Sequence, residues 1–245
     1  MDPILTVDAV SKSFGSLRAV DQVSFAVEAG EIFGIAGPNG SGKSTLFNII
    51  TSIPFPADSG RIIFDGRQIE RRGANKICRT GLARTFQKET AFDTLSALDN
   101  VLLGAVYGHH VKSGDDLENA HEALAFVGID ATQFSRPAAE LSVFDKKRLM
   151  LASALATRPR VLLMDEPASG LTKPEIDETI DLIHRLNQDG ITVLVIEHDL
   201  PLLLTVSQRL MVLNQGSELM TGTPDEVMRD QRVVEAYLGT RARHD

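Results

Sequence analysis

The sequence is short of cysteine, of basic side chains and of long apolar runs, and each shortage argues against a class of protein. Cys78 is the single cysteine in 245 residues, so the chain has no internal disulfide. Acidic side chains outnumber basic ones by 33 to 25, and a net charge of −8 does not provide the basic surface of a nucleic-acid-binding protein. Apolar runs such as residues 191–196 fall far short of the ~20 residues that span a bilayer.

The chain has enough apolar content to fold by itself, because 43% of its residues are hydrophobic. No repeat and no low-complexity segment interrupts it. No secretion-signal pattern precedes the first predicted strand, so we expect a cytoplasmic protein that docks on a membrane if it works at one.

Hydrophobic patterning predicts an α/β fold in three parts. Alternation at 5–10 and 23–29 predicts β-strands, and a short apolar strand at 31–37 leads through a glycine loop into a helix from Ser44. The middle of the chain has helical periodicity instead, which predicts a helical subdomain inserted into the core. The predicted parts are an antiparallel β subdomain with the first part of the core (1–91), the helical subdomain (92–156) and the second part of the core (157–245).

The second part of the core has the pattern of a β-α-β unit followed by a hairpin. Residues 160–166 and 191–198 are apolar runs that end in polar residues, as is typical of buried parallel strands. The helix between them has one apolar stripe, formed by Ile176, Ile180, Ile183 and Leu186. Residues 209–222 predict a hairpin, and residues 224–238 predict one helix after it.

The glycine-rich loop GPNGSGKST, residues 37–45, has the composition of a phosphate-binding site. It fits the pattern G-x-x-x-x-G-K-[ST] through Gly37, Gly42, Lys43 and Ser44. Glycines let successive N–H groups point at phosphates, and the helix N-terminus adds positive charge. The alternative is a glycine turn with a solvated lysine. The residues predicted to bind a nucleoside triphosphate are Gly37, Asn39, Gly40, Ser41, Gly42, Lys43, Ser44 and Thr45.

Two apolar strands end in residues suited to phosphate chemistry. Asp165 is placed to hold Mg²⁺ through water, and Glu166 can orient or deprotonate an attacking water. His198 ends the next strand, and since parallel strands put their carboxyl ends on one edge, it can share the crevice and hold the γ-phosphate. The alternatives are two solvated loop acids and a histidine that forms structural hydrogen bonds only.

The order of the motifs resembles that of the ATP-binding cassette (ABC) ATPases over essentially the whole chain. GPNGSGKST is followed by RTFQ, a helix that opens with LS, VLLMDEP and IEH. KSFGSLRAVDQVSF, DEPASGL and GTPDEVMRDQRVVEAYLG are most similar to the ATP-binding subunits of branched-chain amino-acid importers. The resemblance implies a P-loop NTPase core that hydrolyses ATP with Mg²⁺, on the inner face of the cell membrane. It also implies a second ATPase subunit in a head-to-tail dimer, and permease subunits that dock a short helix in the groove formed by residues 88–100.

The resemblance implies roles for single residues. Phe14 matches the aromatic residue that stacks on adenine, although a phenylalanine beside a strand is more often part of the core. Gln87 matches the glutamine that contacts Mg²⁺ and the water, and that links the core to the helical subdomain. Ser142 matches the serine that approaches the γ-phosphate bound to the partner. The implied catalytic residues are Lys43, Glu166 and His198, and the implied Mg²⁺ ligands are Ser44, Gln87 and Asp165.

The segment LSVFD, residues 141–145, departs from the LSGGQ with which such cassettes cover the partner's ATP. Val143, Phe144 and Asp145 replace the Gly-Gly-Gln or Tyr-Gly-Gln of the similar subunits. We expect the Phe144 ring to stand where backbone should approach the phosphate, and the Asp145 charge to cost on the order of 2 kcal/mol within ~8 Å of a phosphate oxygen. Ser142 and Asp145 also form a capping-box variant, which explains the same residues as a stable helix start.

Thr172 is a second departure, because the family has Asp or Asn there to reach across the dimer. With Pro174 and Glu175, Thr172 is still a sound helix N-cap. The two departures predict an asymmetric heterodimer. This chain's ATP would be closed by a partner with an intact LSGGQ, and the partner's ATP would be covered poorly.

Other functions fit parts of the sequence. A soluble cassette that uses ATP as a clamp, as in iron–sulfur assembly, is favoured slightly by the DKKR run at 145–148, unless that run is a solvated helix face. A nucleotide-binding module without hydrolysis would not need Glu166. His109-His110 lacks acidic or cysteine partners and predicts no metal site. The tail with Arg241 and Arg243 is expected to be disordered.

Overall fold

The described part of the chain, residues 2–88, 90–108, 116–198 and 200–241 of a computed structural model, forms ten strands and nine α-helices. The strands are β1 (Leu5–Phe14), β2 (Leu17–Val27), β3 (Ile32–Ala36), β4 (Ser59–Phe64), β5 (Arg67–Gln68), β6 (Leu82–Thr85), β7 (Val161–Asp165), β8 (Thr192–Ile196), β9 (Arg209–Asn214) and β10 (Ser217–Gly222). The helices are α1 (Lys43–Thr51), α2 (Ala74–Arg79), α3 (Ala97–Tyr107), α4 (Asp116–Phe126), α5 (Val143–Leu155), α6 (Lys173–Gln188), α7 (Leu200–Val206), α8 (Pro224–Arg229) and α9 (Gln231–Arg241).

The strands form two sheets of different kinds, which confirms the predicted α/β fold with an added antiparallel sheet. The first sheet is antiparallel, in the order β2-β1-β4-β5. The second has the order β10-β9-β3-β8-β7-β6, and its strands are parallel except for β10, which forms the predicted hairpin with β9. β7 and β8 are neighbours joined through α6, as the β-α-β pattern predicts.

β3 is buried on both faces. Phe33 and Ile35 belong to the buried cluster that contains the apolar side chains of α1 and of the antiparallel sheet. Ile32 and Ala36 belong to the other cluster, which includes side chains of α3 to α6. A strand of this kind needs a continuous apolar sequence, and it holds the loop after Ala36 at the carboxyl edge of the parallel sheet.

Helices α3, α4 and α5, which the sequence predicts as helical, pack together at one side of the parallel sheet. α3 crosses α5 closely, because a Cβ on Gly104 would lie 2.2 Å from the carbonyl oxygen of Ser153. No helix in the described ranges is long and apolar enough to span a bilayer.

The predicted single helix over 224–238 is wrong, because the chain breaks at Asp230. Asp230 has an extended ψ of 118°, and its carboxylate accepts the backbone N–H of Arg232 at 2.8 Å, so it starts a new helix, α9. Arg241 is the last residue of α9 and is not in a disordered tail. Arg243 and the pair His109-His110 lie outside the described residues.

Candidate active site at the carboxyl edge of the parallel sheet

The glycine-rich loop joins β3 to α1, and neighbouring backbone closes it from outside. Gly37 has φ 150° and Gly42 has φ 105°. A Cβ on Gly42 would lie 2.3 Å from the carbonyl oxygen of Ala19, and one on Gly37 would lie 2.3 Å from that of Leu213. Both positions therefore require glycine.

Lys43 is the buried cation of the loop. It is 5% exposed, and its Nζ donates to the carbonyl oxygens of Gly37 at 2.6 Å and of Pro38 at 3.1 Å. Burial lowers the pKa of Lys43, and the charges of Glu166 and Asp165 raise it. The ammonium group thus lies inside the loop within electrostatic reach of the acids at the end of β7.

The loop offers donors to an anion from outside the chain. No side chain in the described ranges caps α1, and its first turn contains no acid. The hydroxyl of Ser41 is buried and has no hydrogen-bond partner in the described part of the chain. Ser44 and Thr45 are half-buried in the first turn, whereas Asn39 and Gly40 are exposed. Free amides at a glycine-capped helix start suit the phosphates of ATP.

Asp165 is held by an arginine that the sequence analysis did not identify. Arg84 Nη2 lies 2.5 Å from Asp165 Oδ2, and the two side chains are 5% and 3% exposed. Arg84 also donates to Asn48 Oδ1 at 2.8 Å, which ties β6 and β7 to α1. The one available signal was an arginine inside the apolar stretch GLARTF. Asp165 Oδ1 has no partner among the described residues, and a buried oxygen of this kind fits a hard cation such as Mg²⁺.

The structure brings Gln87, Glu166 and His198 together, although they are far apart in the sequence. Gln87 Nε2 donates to Glu166 Oε2 at 2.6 Å, and His198 Nδ1 lies 3.8 Å from the same oxygen. Glu166 has φ 49°, a left-handed conformation that costs roughly 1–2 kcal/mol for a residue with a side chain. Its N–H donates to the carbonyl oxygen of Ile196 at 2.9 Å, which holds this conformation against β8.

Phe14 ends β1 with its side chain on the surface. It is 44% exposed, so the alternative that Phe14 belongs to the core is wrong. The Phe55 ring lies edge-on to it with centroids 5.0 Å apart, and Lys12 Nζ lies 5.7 Å from the Phe14 centroid. An exposed ring supported from the side can stack on a planar base.

The expectation that the Phe144 ring stands on the outer face of the LSVFD segment is wrong. Phe144 is 8% exposed, and it lines a small cavity together with Pro167 and Leu182. The guanidinium of Arg148 lies 4.0 Å from its ring centroid. Burying an apolar ring between α5 and α6 is favourable, so the side chain turns inward and leaves Val143, 52% exposed, on the surface.

The helix-capping interpretation of the same segment is confirmed. Ser142 Oγ accepts the N–H of Asp145 at 3.0 Å and donates to Asp145 Oδ2 at 2.9 Å. The N-cap at Thr172 is confirmed too, since its N–H and its hydroxyl both donate to Glu175 Oε2 at 2.7 Å. Whether Ser142 approaches a partner's phosphate stays a prediction.

The DKKR run is not a solvated helix face. Its four side chains are partly buried, and each contacts another element or its own turn. Lys146 Nζ lies 3.4 Å from Asp93 Oδ1, and Lys147 Nζ donates to the carbonyl oxygen of Glu166 at 3.3 Å. Arg148 forms an ion pair with Glu178 on α6. The run therefore connects α5 to the rest of the fold.

Known proteins with this arrangement match the chain over nearly its full length. The family model described as "ABC transporter" matches residues 20–169, and the one described as "Branched-chain amino acid ATP-binding cassette transporter" matches residues 219–243. BraF of Pseudomonas aeruginosa, a high-affinity branched-chain amino acid transport ATP-binding protein, is 36% identical, with 97% of this chain and 98% of BraF covered. LivG of Escherichia coli, described in the same words, is 34% identical, with 97% and 98% covered.

Solved structures agree with these relatives. The ADP conformation of an ATP-binding cassette of an ABC transporter superposes with a TM-score of 0.87 at 32% identity, covering 98% of this chain and all of that one. The chain belongs to the ABC transporter family of ATP-binding cassettes. Its activity is hydrolysis of ATP coupled to transport.

Proposed function

We propose that the chain is the ATP-hydrolysing subunit of an importer of branched-chain amino acids, bound to the inner face of the cell membrane. The solute is supported by the names of BraF and LivG and by the C-terminal match at residues 219–243. One observation carries the assignment of the reaction site. The Glu166 carboxylate accepts the Gln87 amide at 2.6 Å and lies near His198 at the edge that holds the phosphate loop.

The phosphate loop binds and orients the nucleotide in this proposal. The loop N–H groups and the Lys43 ammonium contact the phosphates, and the exposed face of Phe14 stacks on adenine. Ser44 and the unpartnered Oδ1 of Asp165 are the oxygens that would hold Mg²⁺, with Gln87 as a further ligand. When bound, Mg²⁺ neutralises charge on the β- and γ-phosphate oxygens.

The acids and the histidine act on the water and the γ-phosphate. Glu166 orients the attacking water and accepts its proton, and Gln87 fixes the carboxylate by donating to it. His198 donates a hydrogen bond to the γ-phosphate. The 3.8 Å distance between His198 and Glu166 leaves the two side chains free to tighten around the substrate.

The substitution Glu166→Gln tests this assignment. It keeps the size of the side chain and removes the proton acceptor, so we expect kcat to fall about a hundredfold while ATP binding is retained. Glu218→Gln, an exposed glutamate on β10, is the matched control and should leave kcat unchanged. An unchanged rate in Glu166→Gln would make the chain a nucleotide-binding module in which Glu166 has no catalytic part.

A cavity beside Gln87 supports a permease as partner. Its volume is about 260 Å³, and it lies where α2, β6, α3 and α5 meet. Its lining is mostly apolar and includes Ile77, Phe86 and Leu103, and Phe92 at its margin is 59% exposed. A short cytoplasmic helix with an apolar face would bury these side chains.

Co-purification of the native complex tests the partner. We expect the chain to bring down a membrane protein with several spans, and Phe92→Asp to reduce that recovery severalfold. Met228→Asp changes an exposed apolar residue on α8, outside this cavity, and serves as the control. Recovery of soluble proteins only would favour the clamp function known from iron–sulfur assembly.

We further infer that the ATPase dimer is a heterodimer. Since the Phe144 ring is buried, the outer face of the LSVFD segment presents the Val143 side chain and the Asp145 carboxylate in place of glycine and glutamine. Arg148 Nη1 lies 3.7 Å from Asp145 Oδ1 and offsets part of the repulsion from a phosphate. The partner's ATP would still face a side chain and an acid, so that site would turn over slowly.

Asp145→Gln in the assembled complex tests whether the LSVFD segment impairs the partner's site, which is the basis of the heterodimer inference. Removing the charge should raise ATPase activity roughly threefold, and adding Val143→Gly should raise it further. Phe144→Gly is a poor test, because it removes a buried ring. Glu226→Gln is the control, since Glu226 has the same capping contacts with Thr223 at the start of α8. No change or a fall in activity in Asp145→Gln would reject the degenerate site from which the heterodimer is inferred.

A further inference from the structure

A buried glutamate beside the candidate site has no part in the mechanism proposed above. Glu197 follows β8 directly and is 1% exposed. Burial raises its pKa to about 7, and the charged groups that face it are His198, Glu166 and Lys147. A carboxyl group is costly to bury, so its contacts should show what it does.

One oxygen of Glu197 holds the segment that follows Glu166. The N–H of Ala168 donates to Glu197 Oε1 at 2.7 Å, in a buried hydrogen bond across 29 residues of sequence. The N–H of Glu166 donates to the carbonyl oxygen of Ile196 at 2.9 Å. The two bonds pin residues 166–168 to the end of β8, and they support the left-handed backbone of Glu166.

The other oxygen of Glu197 faces the imidazole. Glu197 Oε2 lies 3.8 Å from His198 Nδ1, and it has no hydrogen-bond partner among the described residues. A buried oxygen without a partner is costly. A small movement of His198 toward it would form that bond and fix the direction of the ring.

We propose that Glu197 is a positioning residue for ATP hydrolysis, which sets the distance between Glu166 and His198. One of its oxygens holds the backbone just after Glu166, and the other faces the His198 ring. This inference rests on the proposed roles of Glu166 and His198. The competing explanation is that Glu197 only stabilises the fold.

Kinetics of two variants in the native complex separate these explanations. Glu197→Leu removes the acceptor of the Ala168 N–H, and we expect kcat to fall tenfold to about a hundredfold with KM for MgATP within about threefold of the parent. Glu197→Gln keeps an acceptor at that place and should recover most of kcat. Because it removes a group that titrates beside His198, it should shift the pH profile of kcat. Glu31→Gln, a buried glutamate paired with Arg209 before β3, is the control and should change neither kcat nor its pH profile.

Comparing kcat of the Glu197 variants with kcat of Glu166→Gln in the same complex shows which proposal fails. If Glu166→Gln hydrolyses ATP like the parent, the proposed site itself fails. If Glu166→Gln is inactive but Glu197→Leu keeps the parent's kcat, only the role of Glu197 is rejected. Should Glu197→Leu fold poorly, Glu197→Gln decides: a pH profile identical to that of the parent rejects the proposal, and a shifted profile supports it.

Discussion

Helices α1 and α5 are the two helices proposed to point at a phosphate, yet their first turns are built in opposite ways. α1 starts after Gly42, and in the described part of the chain no side chain caps it and no acid lies in its first turn. α5 starts after Ser142, whose hydroxyl exchanges hydrogen bonds with the N–H and the carboxylate of Asp145. The positive end of α1 is open to an anion from outside, whereas α5 supplies its own anion.

The acids near the two helices also differ, in how deeply they and their arginine partners are buried. Asp165, beside the phosphate loop, is paired with Arg84, and both side chains are almost fully buried. Asp145 is paired with Arg148 at 3.7 Å, and both side chains reach solvent. The comparison shows that α1 leaves its first-turn amides open and keeps acids out of that turn, which favours phosphate binding at α1 over α5.

The largest difference between the two regions should appear in the free energy of unfolding when Arg84 or Arg148 is removed. Arg84→Met leaves Asp165 buried without its partner, and we expect a loss of about 3–5 kcal/mol in the free energy of unfolding. Arg148→Met loses partly exposed ion pairs and a contact with the Phe144 ring, and should cost about 1–2 kcal/mol. Urea denaturation of the nucleotide-free chain measures both. Equal losses would contradict the contrast in burial.

A methyl group added at Gly42, at the open start of α1, should strongly weaken ATP binding. Gly42→Ala places a Cβ 2.3 Å from the carbonyl oxygen of Ala19, so the loop must shift, and we expect ATP affinity to fall at least about a hundredfold, or ~3 kcal/mol. Gly66→Ala is the control, because Gly66 also has a positive φ, at the turn between β4 and β5, but has open space around it. Equilibrium ATP binding by both variants checks this, and full affinity in Gly42→Ala would contradict it.

The features that the sequence predicted are those set by local patterns. The run 161–165 is buried on both faces, so it shows as a continuous apolar stretch, and the loop at 37–45 needs glycine for reasons internal to its backbone. Ser142 was also predictable as an N-cap, because its bonds reach only three residues along the chain. The strand β6 was not predicted, since four residues are too short to show a period.

The features that were missed depend on contacts between distant segments. The ring direction of Phe144 is decided by residues that follow β7 in the chain, such as Pro167 and Leu182, and helix periodicity alone does not show it. Arg84 finds Asp165 81 residues away, and Glu197 finds Ala168 29 residues away. Buried charges of this kind are visible in a sequence only as a polar residue inside an apolar run, which identifies neither the partner nor the role.

A smaller effect should distinguish the buried Glu197 from Glu175 at the start of α6, because the two carboxyl groups should change the free energy of unfolding with pH in opposite directions. The pKa of Glu197 is raised to about 7 by burial, so its stabilising contribution is complete below the usual 4.5 and is lost as pH rises through 7. The pKa of Glu175 is lowered by hydrogen bonds from Thr172, so its contribution is present above 4.5 and is lost as pH falls.

Unfolding free energies test these opposite signs when they are measured between pH 3 and pH 5 for Glu175 and between pH 5 and pH 8 for Glu197. Glu197→Gln should gain on the order of 2 kcal/mol relative to the parent as pH rises over its range. Glu175→Gln should be less stable than the parent by a constant amount above pH 5, and this deficit should shrink below pH 4.5 as the parent's carboxylate is protonated. The same pH dependence in both variants would show that Glu197 does not ionise in the folded state near neutral pH.

The smallest effect concerns the cap that sets α5 apart from α1. Ser142→Ala removes the acceptor of the Asp145 N–H and should cost about 1 kcal/mol, whereas Ser142→Gly, which gives α5 the same start as α1, should cost only a few tenths. Thermal melting resolves this, since ~1 kcal/mol corresponds to about 2–4 °C for a chain of this size. The chain's own ATP affinity should not change, because that nucleotide is proposed to bind at α1. If glycine destabilises as much as alanine, loss of the hydroxyl bond accounts for the whole cost, and a glycine start like that of α1 does not suit α5.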